Sequence, residues 1–415
     1  IRYVMTHFSL LKSPFALICN CSLNFVGVTL ERRKKMESFS FYNPTRILFG
    51  KGKIEKIGKE LNKADINKCL MVAGGGSIRK NGVYDQVCES LRENHIEWIE
   101  AWGVQPNPTV EKVRELIALA KESKVDAILA VGGGSVIDSG KATAAGVFLN
   151  DIWNAYTEKE KITRALPIFT VLTISGTGSE MNGNSVLTLS AEKKKWSITS
   201  SHLYPQASII DPSVQSSLPF QQTVNGAIDA ISHILEYIFM NETAIATRAI
   251  DAGLIKTIVK MTDRLQEDAK DYVARANLAW SATLALNGIS GVGLQGGDWA
   301  CHSIEHSLSA IDPKIAHGEG LGVIFPAWIE YVSEREPERF SWWVKEVCGE
   351  DSVAHALRKC RETLKRWGSP TNLRELGIRD SQLPEIRDLI LSYGPVGEII
   401  RFKEEDIEAL LMLAY

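Results

Sequence analysis

Between residues 39 and 211 the apolar positions come in short runs divided by glycine- and proline-rich turns; beyond residue 219 they recur at helical spacing over long stretches. The first pattern predicts strands alternating with helices, the second helices alone. Extended segments are expected at 39–41 and 46–49, parted by Asn43-Pro44, and a helix runs from the Gly50-Lys51-Gly52 turn through Leu61. Strands follow at 68–73, 96–101, 126–131, 167–173 and about 209–211. Helices over 83–93 and 110–123 stand between them, the second capped by Thr109, whose hydroxyl can accept from a free amide of the first turn. Later helices are expected over 223–239, 243–266, 272–287 and 299–310, and from Gly377 on the chain reads as peripheral helices without a functional signal. The fold class is therefore α/β over 36–214, then an all-helical domain over 215–415, joined in the 212–219 stretch. A cleft between two domains is a common address for a small-molecule site.

Residues 1–35 break the pattern. Positions 14–30 are mostly apolar, but Asn20, Ser22 and Asn24 interrupt them and the basic cluster Arg32-Arg33-Lys34-Lys35 follows instead of preceding. That order fits neither a signal peptide nor a spanning helix. Arg32-Arg33-Lys34-Lys35-Met36 is what a purine-rich ribosome-binding sequence would encode in frame, so 1–35 is expected to be unstructured upstream sequence, with Met36 as the start. N-terminal sequencing of the natural protein that reads Ile1 would overturn this.

The chain of 415 residues is 45% hydrophobic and 23% charged, enough for two full cores. A net charge of -3 without a basic stripe argues against nucleic acid, and no stretch argues for a membrane. Cysteines at 19, 21, 69, 88, 301, 348 and 360 form neither a disulfide framework nor a zinc ribbon, which points to a reducing cytoplasm.

Two strands end in glycines. The run 68–73 leads into Gly74-Gly75-Gly76-Ser77, and 126–131 into Gly132-Gly133-Gly134-Ser135 at the head of a helix. Backbone amides there can approach a pyrophosphate, whose charge the helix dipole favours. A plain tight turn would need one glycine, so a dinucleotide is the better reading, although this is not the G-x-G-x-x-G fingerprint. The stretch 291–296 does match that fingerprint but follows a helical pattern, and is set aside. No acid follows the first glycine turn before Asp85; Gly75, Gly76 and Ser77 with Arg79 or Lys80 could cradle a 2'-phosphate. That leans towards NADP(H), with NAD(H) also accommodated.

Four of the eight histidines fall between Asp229 and His317. Asp229 and His233 are spaced i,i+4 among Ala227, Ile228, Ile231 and Ile234, and His302 and His306 repeat the spacing before His317. A lone pair at that spacing is more often a solvated face or a satisfied core pair. A carboxylate among isoleucines, however, is costly to bury unless paired or metal-bound. Imidazoles with one carboxylate suit Fe(II) or Zn(II), one ion per chain, better than Mg or Ca.

Asp229-x-x-x-His233, the run Gly296-Gly297-Asp298-Trp299-Ala300-Cys301-His302-Ser303-Ile304-Glu305-His306 and His317-Gly318 together resemble the iron-containing (group III) alcohol dehydrogenases, especially their butanol-dehydrogenase-like branch, from about Met36 to the C-terminus. The resemblance implies a Rossmann-like dinucleotide-binding domain and a helical metal domain, as in dehydroquinate synthase. It places the metal on Asp229, His233, His302 and His317, with His306 in the pocket for proton relay or alcohol contact. It further implies Gly133, Gly134, Ser135 and Asp138 at the pyrophosphate, and Thr173, Thr177, Asn182, Asn184 and Lys195 near the nicotinamide or its ribose. Such residues also fill ordinary turns. Residues 311–315 are one longer than the family pattern, just ahead of His317. The implied activity is hydride transfer between nicotinamide and a small aliphatic alcohol or aldehyde, in a homodimer whose edge strand could come from 39–49. Trp299, Ile304 and Leu308 suggest an apolar substrate pocket. Two alternatives remain: a dehydroquinate-synthase-like metal and NAD lyase, which would need a Lys/Arg cluster, and a nucleotide-sensing regulator with a structural metal.

Overall fold

The computed structural model describes residues 35–415, so the stretch expected to be upstream sequence lies, but for Lys35, outside the described residues. The first half of the chain runs β1 (Arg46–Phe49), α1 (Ile57–Asn62), β2 (Lys68–Ala73), α2 (Val83–Glu93), β3 (Glu97–Ala101), α3 (Val110–Ser123), β4 (Ala127–Gly132), α4 (Gly134–Gly146) and β5 (Ile168–Leu172). It continues through β6 (Asn184–Leu189), β7 (Lys194–Thr199) and β8 (Ala207–Ile210). Six strands form one parallel sheet in the order β1-β8-β5-β4-β2-β3. Its central strands are buried on both faces, which is why their sequences are apolar runs instead of alternations. Cys69, Met71, Leu129 and Val131 pack towards α1 and α2, while Leu70, Val72, Ile128 and Ala130 face α3 and α4.

That alternation fixes the site. The chain leaves β2 outward to β3 and returns to β4 on the other side of β2. The helices following β2 and β4 therefore cover opposite faces, and a crevice opens between the carboxyl ends of these two strands. Both glycine turns lie there.

The sequence reading missed the antiparallel hairpin β6–β7, registered Asn184 to Thr199 and Leu189 to Lys194. Its alternating Leu187, Leu189, Trp196 and Ile198 pack on α3 and α4, a period-2 signal hidden by polar residues between. Residues 39–41, expected to be extended, form no strand.

The second half is helical: α5 (Phe220–Ile238), α6 (Ile245–Glu267), α7 (Tyr272–Ala285), α8 (Ala300–Ile311), α9 (His317–Ser333), α10 (Val353–Arg366), α11 (Leu383–Ser392) and α12 (Glu404–Ala414). Its core holds Ile234, Ile258, Leu308, Ile324 and Trp328. The final helix is not peripheral: Ile407, Leu410 and Leu411 are buried in the same core, and the Tyr331 hydroxyl donates to Asp406 at 2.5 Å. Stretch 291–296 follows α7 and packs on the first described residues, where the Glu37 amide donates to the Gly293 carbonyl at 3.3 Å. Among the described residues no helix is long and apolar enough to cross a membrane.

Two glycines let backbone meet backbone, one between the two halves and one within the helical half. A Cβ on Gly226 of α5 would stand 2.0 Å from the Ser175 carbonyl oxygen, and one on Gly318 would stand 2.2 Å from that of Asn225. Only glycine permits such approach. Asp229 is therefore held one helical turn from the loop after β5, and His317 is held against α5.

Candidate metal and dinucleotide site

Three helices bring the expected ligands together. Asp229 and His233 share one face of α5, with His233 Nε2 3.5 Å from Asp229 Oδ1. His317, the first residue of α9, places its Nε2 3.6 Å from the same oxygen. The rings of His233 and His302 stack with centroids 4.9 Å apart. Ligand atoms of Asp229, His233 and His302 all lie within 4.8 Å of one another. Asp229 Oδ1 and His302 Nε2 are buried without a hydrogen-bond partner among the described residues. Orphaned polar atoms of this kind are costly unless something fills the space between them, and a cation does so. Burial raises the Asp229 carboxyl to about 6 against the lowering pull of His317, pushes His302 down to about 3, and holds His233 well below its ordinary value. Neutral imidazoles are the ligand form. The donor set fits a divalent transition metal.

Two carboxylates unread in the sequence support this ring. His302 Nδ1 lies 2.8 Å from Glu236 Oε1, and the His302 amide donates to the same oxygen at 3.1 Å. A proton on Nδ1 leaves the Nε2 lone pair facing Asp229. Glu236 is raised to about 8 by burial, against three backbone amides. Its signal was present, since it follows His233 by three residues on the same helix face. Glu305 plays the same part for His317, contacting Nδ1 closely, and it also accepts from Lys195 Nζ at 3.1 Å. Burial alone would raise Glu305, but His317 and Lys195 hold it well below the usual carboxylate range.

A cleft of about 330 Å³ leads from Gly74, Gly76 and Ser77 over Gly133, Gly134 and Ser135 to Thr173, Thr177, Asp229 and His317. Gly134 opens α4 with no side-chain cap and no acid in the first turn. Its missing Cβ would stand 2.4 Å from Thr177 Cγ2, so the turn after β5 closes directly on the glycine corner. Gly76 sits at φ 100, and a Cβ on Gly75 or Gly76 would meet nothing within 4 Å, which leaves that end of the cleft open. Gly75 itself is exposed beside the wall.

The remaining candidates are committed to the protein. Asp138 Oδ1 accepts from Ser179 Oγ at 2.6 Å and Oδ2 from the Val186 amide at 3.0 Å, so its carboxylate ties β6 to α4. Asn182 Oδ1 accepts from Lys141 Nζ at 3.0 Å, and Asn184 Oδ1 from the Thr199 hydroxyl at 2.8 Å. Lys195 points at Glu305, Ser309 and His317. All four still line a larger cavity of about 520 Å³ that continues the cleft past the metal ligands. Tyr237, Leu286 and Trp299 form its apolar end. Ile304 and Leu308, read as pocket residues, are instead fully buried in the helical core. His306 is half-buried, 5.6 Å from His317 between ring centroids, and lines both this cavity and a smaller one with Tyr156, Lys195, Trp196 and Tyr393.

The family descriptions that match are "Iron-containing alcohol dehydrogenase" over residues 44–212 and "Fe-containing alcohol dehydrogenase family, C-terminal" over 223–415. The chain is 36% identical to a probable NADH-dependent butanol dehydrogenase of Bacillus subtilis, covering 91% of this chain and 99% of the relative. It is 32% identical to an NADPH-dependent aldehyde reductase of Escherichia coli over 86% of this chain and 94% of the relative. The crystal structure of an NADH-dependent butanol dehydrogenase from Thermotoga maritima superposes with a TM-score of 0.90 at 50% identity, covering 92% of this chain and 99% of that one.

Proposed function

From the premise that this chain belongs to the iron-containing alcohol dehydrogenases and is an NAD(P)-dependent, metal-dependent alcohol dehydrogenase or aldehyde reductase, we infer that its substrates are small unbranched aliphatic alcohols and aldehydes. The observation that carries this is the convergence of the unpartnered Asp229 Oδ1 and His302 Nε2 on the cavity that also takes in the glycine corner. Asp229, His233, His302 and His317 would hold the ion, which when bound polarises the alcohol or carbonyl oxygen. Four protein donors suit an ion that readily accepts further ligands, which favours Fe(II) over Zn(II).

The protein's own groups do the rest. Amides at the start of α4 bind the pyrophosphate, and Thr173 and Thr177 wall the path towards the reacting end. Tyr237, Leu286 and Trp299 exclude water around the alkyl chain. His306, bordering cavities on both sides, moves the proton between the substrate end and the outer cavity. Those apolar walls carry no Lys/Arg cluster for an acidic substrate, so the lyase reading has no support at this end. Protein stripped with a chelator should lose butanol oxidation and regain it with Fe(II), more than with Zn(II). Turnover that survives complete metal removal sinks this reading.

The cofactor is proposed to be NADP(H), with NAD(H) accepted. The acid nearest the first glycine turn from β3, Glu100, is held by Arg79 at 3.1 Å, Tyr84 at 2.5 Å and Trp102 at 2.8 Å and does not line the cleft. No carboxylate of that strand then stands ready to repel a 2'-phosphate. Specificity constants measured side by side should favour NADPH over NADH; a tenfold or greater preference for NADH would reverse the assignment.

A homodimer is also proposed. Phe39, Phe41 and Tyr42 are 54%, 48% and 79% exposed beside β1, the edge of the sheet. Light scattering that returns one chain's mass, 45.9 kDa or less, would exclude it. Among the described residues the five cysteines are all free thiols, which suits the proposed cytoplasmic setting; cell fractionation checks it.

A further inference from the structure

A second cavity, of about 350 Å³, lies wholly within the helical half. It takes Ile228, Ile231 and Leu235 from α5 and Leu321, Phe325 and Ile329 from α9, and none of the metal-binding or cofactor residues named above. Its volume is that of a small-ligand pocket, and its wall is mostly aliphatic and aromatic. Packed helices normally close such a space, because every void forfeits dispersion contacts.

Two irregularities keep it open. Pro326, inside α9 and on the cavity wall, has no N–H to give the Gly322 carbonyl four residues earlier, and Gly322 lines the cavity as well. Opposite, Trp343–Cys348 is wound as a π-helix and contributes Trp343, Val347 and Cys348. Turns of that type are frequent at functional sites.

The mouth is charged. Lys256 and Lys260 stand one turn apart on α6 and line it, and neither has an ion-pair or hydrogen-bond partner among the described residues. The other charges there are matched. Asp263 accepts from Arg366 at 2.8 Å and from the Trp367 indole at 2.7 Å, and Lys359 pairs with Glu350 at 3.0 Å. An apolar chamber beneath two unmatched ammonium groups is complementary to an amphiphile with a hydrocarbon tail and a negative head. We propose that this cavity binds a medium-chain aliphatic carboxylate, the chain in the chamber and the head between Lys256 and Lys260. The site is separate from the alcohol-binding end of the catalytic cavity and does not depend on the activity assigned there.

Calorimetric titration of the full-length, metal-loaded protein with octanoate, decanoate and decanol tests the proposal. Decanoate should bind saturably at one site, about fourfold tighter for each methylene added from octanoate, and more tightly than decanol. The double variant Lys256→Ala, Lys260→Ala should weaken decanoate by about tenfold with butanol turnover unchanged. Ile231→Trp, which fills the chamber, should abolish binding; near-ultraviolet circular dichroism confirms that this variant is folded. Absence of saturable binding, equal affinity for decanol, or decanoate affinity unmoved by the lysine substitutions would each overturn it. Decanoate binding that competes with butanol and survives Ile231→Trp would place the ligand in the catalytic cavity and also overturn it.

Discussion

Glu305→Ala is expected to weaken metal binding sharply, although Glu305 is not among the expected ligands. The carboxylate is fully buried, between the Lys195 ammonium at 3.1 Å and the His317 ring it contacts through Nδ1. Removing it leaves a buried ammonium with Ser309 Oγ, at 2.9 Å, as its main neutral acceptor, and a positive charge without a counter-charge costs about 3–5 kcal/mol of stability. It also frees the His317 ring to turn its Nε2 away from Asp229. Loss of such an outer-shell partner typically lowers metal affinity by about ten- to a hundredfold. Glu305→Gln keeps the volume and one acceptor, and should recover much of the stability but little of the ring's orientation. Competition against a chromophoric chelator reads affinity and thermal unfolding reads stability. If Glu305→Ala folds and holds metal as tightly as the parent chain, the orienting role is wrong.

The candidate ligands Asp229 and His233 and the glycine corner could be read from the sequence because each has a local signal, while His302 and His317 are assigned through the family resemblance. Asp229 and His233 stand at helical spacing among isoleucines, and three glycines end an apolar strand. Glu236 and Glu305 also stood at helical spacing and were passed over, because a carboxylate on a helix ordinarily faces water; only the contacts of Glu236 with His302 and of Glu305 with Lys195 of β7 show that these do not. Lys195 marks the same limit. Its expected place beside the cofactor came from resemblance, whereas its contacts with Glu305 and Ser309 join residues more than a hundred positions apart, which no periodicity encodes. The hairpin β6–β7 escaped for another reason, since its alternation is short and divided between polar residues. The C-terminal helices looked peripheral because nothing in their sequence shows that Asp298 accepts from the Glu398 and Ile399 amides, both at 2.7 Å.

That anchor underlies the last expectation, that Trp299→Ala changes which alcohols are accepted. Trp299 caps α8 at φ 57 and ψ 12, a left-handed conformation that costs a non-glycine residue about 1–3 kcal/mol. Its surroundings over-determine it: the Asp298 amide donates to the Glu236 carbonyl at 2.9 Å, and a Cβ on Gly297 would stand 2.6 Å from the indole Nε1. The indole meets Tyr237 edge-on at 5.3 Å and His302, a candidate metal ligand, also at 5.3 Å, which sets it beside the candidate metal site at the apolar end of the cavity. Without the indole, butanol loses its contact surface while branched and aromatic alcohols gain room. A hydrophobic wall discriminates by about 10- to 200-fold per methylene, so the ratio of specificity constants for benzyl alcohol over butanol should rise by at least about tenfold. Trp299→Gly should shift that ratio equally but be more stable than Trp299→Ala, and so unfold at higher temperature, by up to about 1 kcal/mol of relieved backbone strain less the entropy that glycine adds to the unfolded chain. A ratio unchanged in both variants would show that the indole does not border the substrate; equal thermal stabilities would show that the left-handed turn carries no strain.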